Sequence, residues 1–185
     1  MYALDRDAAT TWAVLDSVEG RTPYRYRYRG EWTPDPAETV DPTLRAAERV
    51  RAGELDATTT VGAPAGATSA TVVLEADGDA ARTSRAVDGG SVAVDWRLTD
   101  GKLAAAGESV PVDGPTEATL SVVVVGPQGG TVVYEVELLV RPDGGGVEAL
   151  WPPERRVCLA STDCDDAYVP DGDYPAFVAV DTERN

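Results

Sequence analysis

Strict two-residue alternation between apolar and polar side chains recurs along this sequence, and that period commits a backbone to half-buried β-strands. In Ser91–Thr99, the residues Val92, Val94, Trp96 and Leu98 fall on one face, and Ser91, Ala93, Asp95, Arg97 and Thr99 on the other. Residues 131–140 place Val132, Tyr134, Val136, Leu138 and Val140 on one side, with Glu135 and Glu137 opposite. Residues 117–125 alternate almost as cleanly. Between these two runs, Gly126-Pro127-Gln128-Gly129-Gly130 has the composition of a turn, which predicts a hairpin. A chain patterned this way cannot bury its apolar faces except by stacking sheets.

Weaker strand signals extend to both ends. Residues 71–76 and 102–112 read as strands. Upstream, residues 22–32 alternate Tyr24, Tyr26, Tyr28 and Trp32 against Arg25, Arg27 and Arg29, and residues 11–16 form another candidate. Downstream, 156–160 and 176–180 are short candidates. One helix is predicted over 41–53, with Asp41 as N-cap, Pro42 at the first helical position, Leu44, Ala47 and Val50 on one face, and Gly53 ending it. The expected fold is therefore all-β and a single domain over 1–185. A single jelly-roll sandwich or barrel with one short helix in a long loop accounts for the whole chain. The alternative is an immunoglobulin-like sandwich at roughly residues 65–142 with structured ends.

Charge narrows the setting. The 185 residues hold 32 Asp plus Glu against 16 Lys plus Arg, a net charge of −16, and Lys102 is the sole lysine. At low ionic strength such an excess of like charge destabilises a compact state by self-repulsion. Near 1 M salt the screening length falls to about 3 Å, and hydrated carboxylates then keep the surface wet at little cost. The acids run from Asp5 to Glu183 rather than forming a tail, and 43% of residues are hydrophobic, so the chain is not disordered. This composition points to a haloarchaeal host or a virus of one. It also argues against nucleic-acid binding, which calls for a basic face. The opening Met-Tyr-Ala-Leu-Asp-Arg-Asp has no basic segment followed by an apolar one, so synthesis in the cytoplasm is expected. Apolar runs such as 122–125 fall far short of a membrane span, and no direct membrane insertion is expected.

Few residues carry the chemistry of a catalyst. There is no histidine, which removes Ser–His–Asp and Cys–His catalysis and most zinc sites. Neither GxxxxGK[ST] nor GxGxxG after a strand occurs, so no cofactor is expected. With 32 acids some carboxylate pair always lies at a hydrolase-like distance, and that alone assigns none. The expectation is a protein that is not an enzyme. Cys158 and Cys164, the only cysteines, fit no metal motif; the reading is an intrachain disulfide clipping the 159–163 loop, set against two reduced thiols or a link to a neighbouring subunit. Asp163, Asp165, Asp166, Asp171 and Asp173 have the oxygen density of a calcium site but not the EF-hand offsets, so a solvated acidic loop is expected and no metal site is assigned. The Tyr–Arg ladder has two readings. Either Arg25, Arg27 and Arg29 meet an acidic partner, or they pair with acids on adjacent strands while the tyrosines pack inside.

In size, acidic salt-adapted composition, the absent targeting segment and strands reaching from 11–16 to 176–180, the chain resembles a single-jelly-roll major capsid protein of the icosahedral, internal-membrane-containing viruses of haloarchaea. The resemblance is to the smaller of their two paralogous subunits. It implies a structural subunit of the virion that assembles with itself and a larger paralogue into pseudo-hexameric capsomers. It supplies no catalytic or interface residues. The competing reading is an immunoglobulin-like interaction module of a viral tail, fibre or cell-surface assembly.

Overall fold

The computed structural model describes residues 7–18, 20–29, 41–160, 163–164, 168, 170, 172 and 174–185. In chain order its elements are α1 (Ala8–Ser17), β1 (Tyr24–Arg29), β2 (Asp41–Ala46), β3 (Glu48–Ala52), β4 (Glu54–Gly62), β5 (Ser69–Ala76), β6 (Asp79–Ala86) and β7 (Ser91–Thr99). There follow β8 (Lys102–Ala105), β9 (Glu108–Pro111), β10 (Thr116–Val125), β11 (Thr131–Pro142), β12 (Val147–Trp151), β13 (Glu154–Ala160), β14 (Asp163–Cys164) and β15 (Val180–Arg184). One sheet runs β14-β13-β11-β10-β5-β6, with β12 also on β11 and β3 on β12; the second runs β15-β4-β7-β8-β9; β1 and β2 form a separate ribbon. No helix among the described residues is long and apolar enough to cross a membrane.

The alternating faces become the core between the two sheets. Val92, Val94, Trp96 and Leu98 of β7 are buried against Val72 and Leu74 of β5, Leu120, Val122 and Val124 of β10, and Tyr134, Val136 and Leu138 of β11. Each fully buried side chain of this kind contributes about 1.5–3 kcal/mol. Trp96 is 5% exposed, and its indole nitrogen donates to Thr59 Oγ1 at 3.0 Å, so the largest core residue keeps its polar atom satisfied. The predicted hairpin joins β10 to β11.

The all-β sandwich with one short helix is thus present, and its connections choose between the two strand arrangements. Hairpins such as β5–β6, β7–β8, β8–β9 and β10–β11 stay within a sheet. The path β6-β5-β10-β11 faces the adjacent pair β4-β7. That neighbour order follows the immunoglobulin-like arrangement more closely than the two Greek keys of a jelly roll.

Four local expectations are corrected. Residues 11–16 lie in α1: Asp7 caps the helix by accepting from Thr10 N at 2.8 Å, and Trp12 and Leu15, three residues apart, reach one buried side. The helix predicted over 41–53 is instead β2 and β3. Arg49 and Arg51 both reach the carboxylate of Glu148, and residues two apart share a side only in a strand. Residues 102–112 fold back on themselves as β8 and β9, turning at Ala106 (φ 58°) and Gly107 (φ 92°), where the left-handed pair suits a tight hairpin. Of 176–180 only Val180 is in a strand, β15, which pairs with β4.

A smaller core lies on the outer face of the first sheet. Trp12 and Leu15 of α1 pack with Ala47, Leu139 of β11 and Leu150 of β12. Beside it the outer edge of β11 changes neighbour: Val140 faces Ala149 of β12, whereas Glu137 faces Glu154 of β13, so the outer chain bulges around Trp151-Pro152-Pro153.

Candidate interaction surface

The β1–β2 ribbon is built by the Tyr–Arg alternation noted in the sequence. Its register sets Tyr24 opposite Ala46, Arg25 opposite Arg45, and Tyr26 opposite Leu44. The side chains divide as the pleat requires, with Arg25, Arg27, Thr43 and Arg45 on the less exposed face. Arg25 Nε stands 3.1 Å from Glu154 Oε1, and Arg27 Nε donates to Glu154 Oε2 at 2.5 Å. Arg25 also donates to the backbone oxygens of Pro152 at 2.7 Å and Leu150 at 3.4 Å. One carboxylate on β13 therefore receives two guanidiniums and fastens the ribbon to the first sheet.

The arginines do pair with an acid on another strand, but the tyrosines do not pack inside. Tyr24 is 59% exposed, Tyr26 50% and Leu44 67%, with Pro42 and Ala46 exposed beside them. Burial of the arginine face forces this inversion, because one side of a strand can turn inward only by turning the other out. Of the three arginines named as partner-contact candidates, Arg25 and Arg27 are directed at their own chain. The side chain of Arg29 lies outside the described residues, as does Trp32.

A second polar constellation escaped the sequence reading. Glu148 on β12 has a side chain of 0% exposure and receives three arginines. Arg49 Nε donates to its Oε1 at 2.7 Å, Arg51 Nε to Oε1 at 3.0 Å, and Arg141 Nε to Oε2 at 2.8 Å. Arg49 and Arg141 reach on to Asp16 at the end of α1, at 2.7 and 2.8 Å. Burial alone pushes the Glu148 carboxyl up, but hydrogen bonds from Arg49 and Arg141 and their charges outweigh it and hold the group below its ordinary range. At Asp16 the hydrogen bond from Arg141 leads, and the carboxyl falls to about 2. The one available sequence signal was the pair Arg49 and Arg51 at strand spacing, hidden beneath the helical spacing of Leu44, Ala47 and Val50.

Cys158 and Cys164 stand opposite each other on β13 and β14 and form a disulfide with an S–S distance of 2.06 Å. Their Cα atoms are 3.9 Å apart, inside the usual lower bound of about 4.4 Å, because the pair is directly cross-strand beside a bulge. Asp165, Asp166, Asp171 and Asp173 lie outside the described residues. Among the described residues no three acids or cysteines lie close enough to hold a metal ion. Among the described residues, Glu137 stands opposite Glu154 in the register of β11 and β13. Burial raises the Glu137 carboxyl, with Glu117, Glu154 and Glu135 adding to the rise against Arg156, but its partner Glu154 is already committed to Arg25 and Arg27.

A family model described as a domain of unknown function (DUF7846) matches residues 1–138, which reach from ahead of α1 into β11. No curated protein and no solved structure matches the chain.

Proposed function

The chain belongs to the family described as a domain of unknown function (DUF7846), and we propose that it is a non-catalytic binding module adapted to concentrated salt, which docks a protein partner through the outer face of the β1–β2 ribbon. One observation carries the reading: Tyr24, Tyr26 and Leu44 stand at least half exposed on a face whose other side is fixed by Glu154. Tyrosine is enriched at interfaces because it offers rigid apolar area with a polar tip. At about 1 M salt, Coulomb attraction beyond about 3 Å is screened, so apolar contact is the recognition that survives there. The excess of hydrated carboxylates keeps the rest of the surface wet in salt, which leaves the ribbon as the adhesive region. The immunoglobulin-like connectivity supports a module of a larger assembly more than it supports a capsid subunit. The capsid reading, with a larger paralogue as partner and the virion as location, rests on size and charge.

Sedimentation in concentrated salt separates the two readings. Growth of the chain into shell-sized particles, alone or with a larger jelly-roll partner, would favour the capsid subunit. For the module, a photoreactive residue placed at Tyr24 should cross-link to one defined neighbour in the native assembly. The combined Tyr24→Ser and Leu44→Ser substitutions should abolish that association while the fold persists. Association unchanged in that double variant would refute docking through the ribbon.

A further inference from the structure

We propose that the recess between the end of α1 and β3 is a binding site for a small aliphatic carboxylate. The recess encloses about 230 Å³ and is lined by Leu15, Val18, Gly20, Arg21, Arg49, Arg51 and Glu148. That is room for several waters or for a short-chain acid. Its charge is anomalous: the protein as a whole carries two acids for every cation, yet among the described residues this lining holds three guanidiniums against one carboxylate.

The polar groups of the recess divide into fixed and available ones. Arg49 is spent on Glu148, Asp16 and the Leu15 carbonyl oxygen. Glu148 is in turn covered by Arg49, Arg51 and Arg141, so its negative charge is largely neutralised before any ligand arrives. Arg51 uses its Nε for Glu148 and lies 3.6 Å from Asp143, its side chain is 56% exposed, and its hydrogen bond among the described residues is made by Nε alone. Arg21 is exposed and enters no ion pair among the described residues.

Two guanidinium edges beside an apolar wall select a particular ligand. A planar carboxylate matches a guanidinium fork with two parallel hydrogen bonds, which a spherical chloride cannot do. Leu15 and Val18 give a short aliphatic stem something to cover, so the acid gains apolar contact that inorganic anions lack. The same chemistry could arrive as a free short-chain acid or as a Glu side chain on a partner protein.

The test is a titration of protein with ¹⁵N-labelled arginine in about 1 M potassium chloride, where long-range attraction is screened. Propionate and a blocked glutamate peptide are the two probes, and the Nε–Hε resonances of Arg21 and Arg51 are the readout. Saturable shifts with either probe support the site. Stronger binding of propionate assigns a free acid, and stronger binding of the peptide assigns a partner's side chain. Arg21→Gln combined with Arg51→Gln should weaken binding by at least about tenfold, the effect of losing one charge-assisted hydrogen bond, with circular dichroism unchanged. Tyr24→Ser with Leu44→Ser should leave this binding intact, which keeps the site separable from the ribbon. Absence of saturable shifts with both probes, or equal affinity in the arginine double variant, would overturn the proposal.

Discussion

Trp12 lies against Arg141, whose guanidinium carbon stands 4.3 Å from the indole centroid, while the indole nitrogen donates to Val140 O at 3.2 Å. A helix of ten residues is thereby held to the sheet by one ring that is 1% exposed, satisfied at its nitrogen and capped by a cation on its face. Trp12→Ala should cost about 3–5 kcal/mol by chemical denaturation in high salt, much of it through release of α1. Trp12→Phe should retain most of the burial and lose about 1 kcal/mol with the hydrogen bond. Equal stability of the alanine variant and the parent would show that α1 is not docked as described.

Acid should loosen the same contact. The Asp16 carboxyl is held at about 2 against an ordinary 3.8, and the cause is pairing with Arg141 and Arg49. A group whose folded pKa is depressed adds stability above its unfolded pKa and loses it as pH falls through the folded value. Glu148 shifts in the same direction. Docking of α1 should therefore hold above pH 4 and weaken as pH falls from about 4 to about 2. Intrinsic fluorescence, compared with a Trp12→Phe variant, follows the event. In Asp16→Asn the part of that transition due to Asp16 should disappear, and a transition unchanged by the substitution would count against the assignment.

The C-terminal segment closes on the sandwich at Gly62. Gly62 N donates to Ala179 O at 2.9 Å, and a Cβ added at Gly62 would lie within 1.7 Å of Phe177 O. Since that contact is with backbone, relief requires the chain near Phe177 to move away. Gly62→Ala should destabilise the fold by about 1–3 kcal/mol as an overpacked site, despite alanine's lower entropy cost. A thermal melt that rises for the variant would contradict the close approach.

For the Cys158–Cys164 bridge, a non-reduced digest analysed by mass spectrometry should give a single intrachain cross-link. Free thiols at both positions, or a cross-link to a second chain, would refute it. With so short a loop, reduction should cost about 2 kcal/mol by the chain-entropy model.

Legibility of the fold tracked how local the deciding interaction is. The strands β7, β10 and β11 were readable because alternation and the intervening turn are written within a few residues. Residues 41–53 carry two periods at once, and Leu44, Ala47 and Val50 satisfy the helical one. What settles β2 is its pairing with β1, and what settles β3 is its pairing with β12 and the contact of Arg49 and Arg51 with Glu148, about a hundred positions downstream, which no local window contains. The ribbon shows the same limit. Its alternation was plain, but the choice of buried face depended on Glu154 and on the carbonyl oxygens of Pro152 and Leu150. The strands β4 and β6 went unread for another reason. Thr59 occupies a buried position of β4 by pairing with Trp96 and Thr182, and β6 buries no side chain fully.

The separate pairing of the ribbon sets a clock on the molecule. β10 has hydrogen-bonded neighbours on both sides, β11 and β5, so its amides can exchange with deuterium only when the sandwich opens as a whole. β1 and β2 pair only with each other among the described residues, and opening them requires parting two arginines from Glu154 rather than dismantling a sheet. Their amides should therefore exchange orders of magnitude sooner than those of β10. The face that meets the outside world would then be renewed many times within the lifetime of a single core.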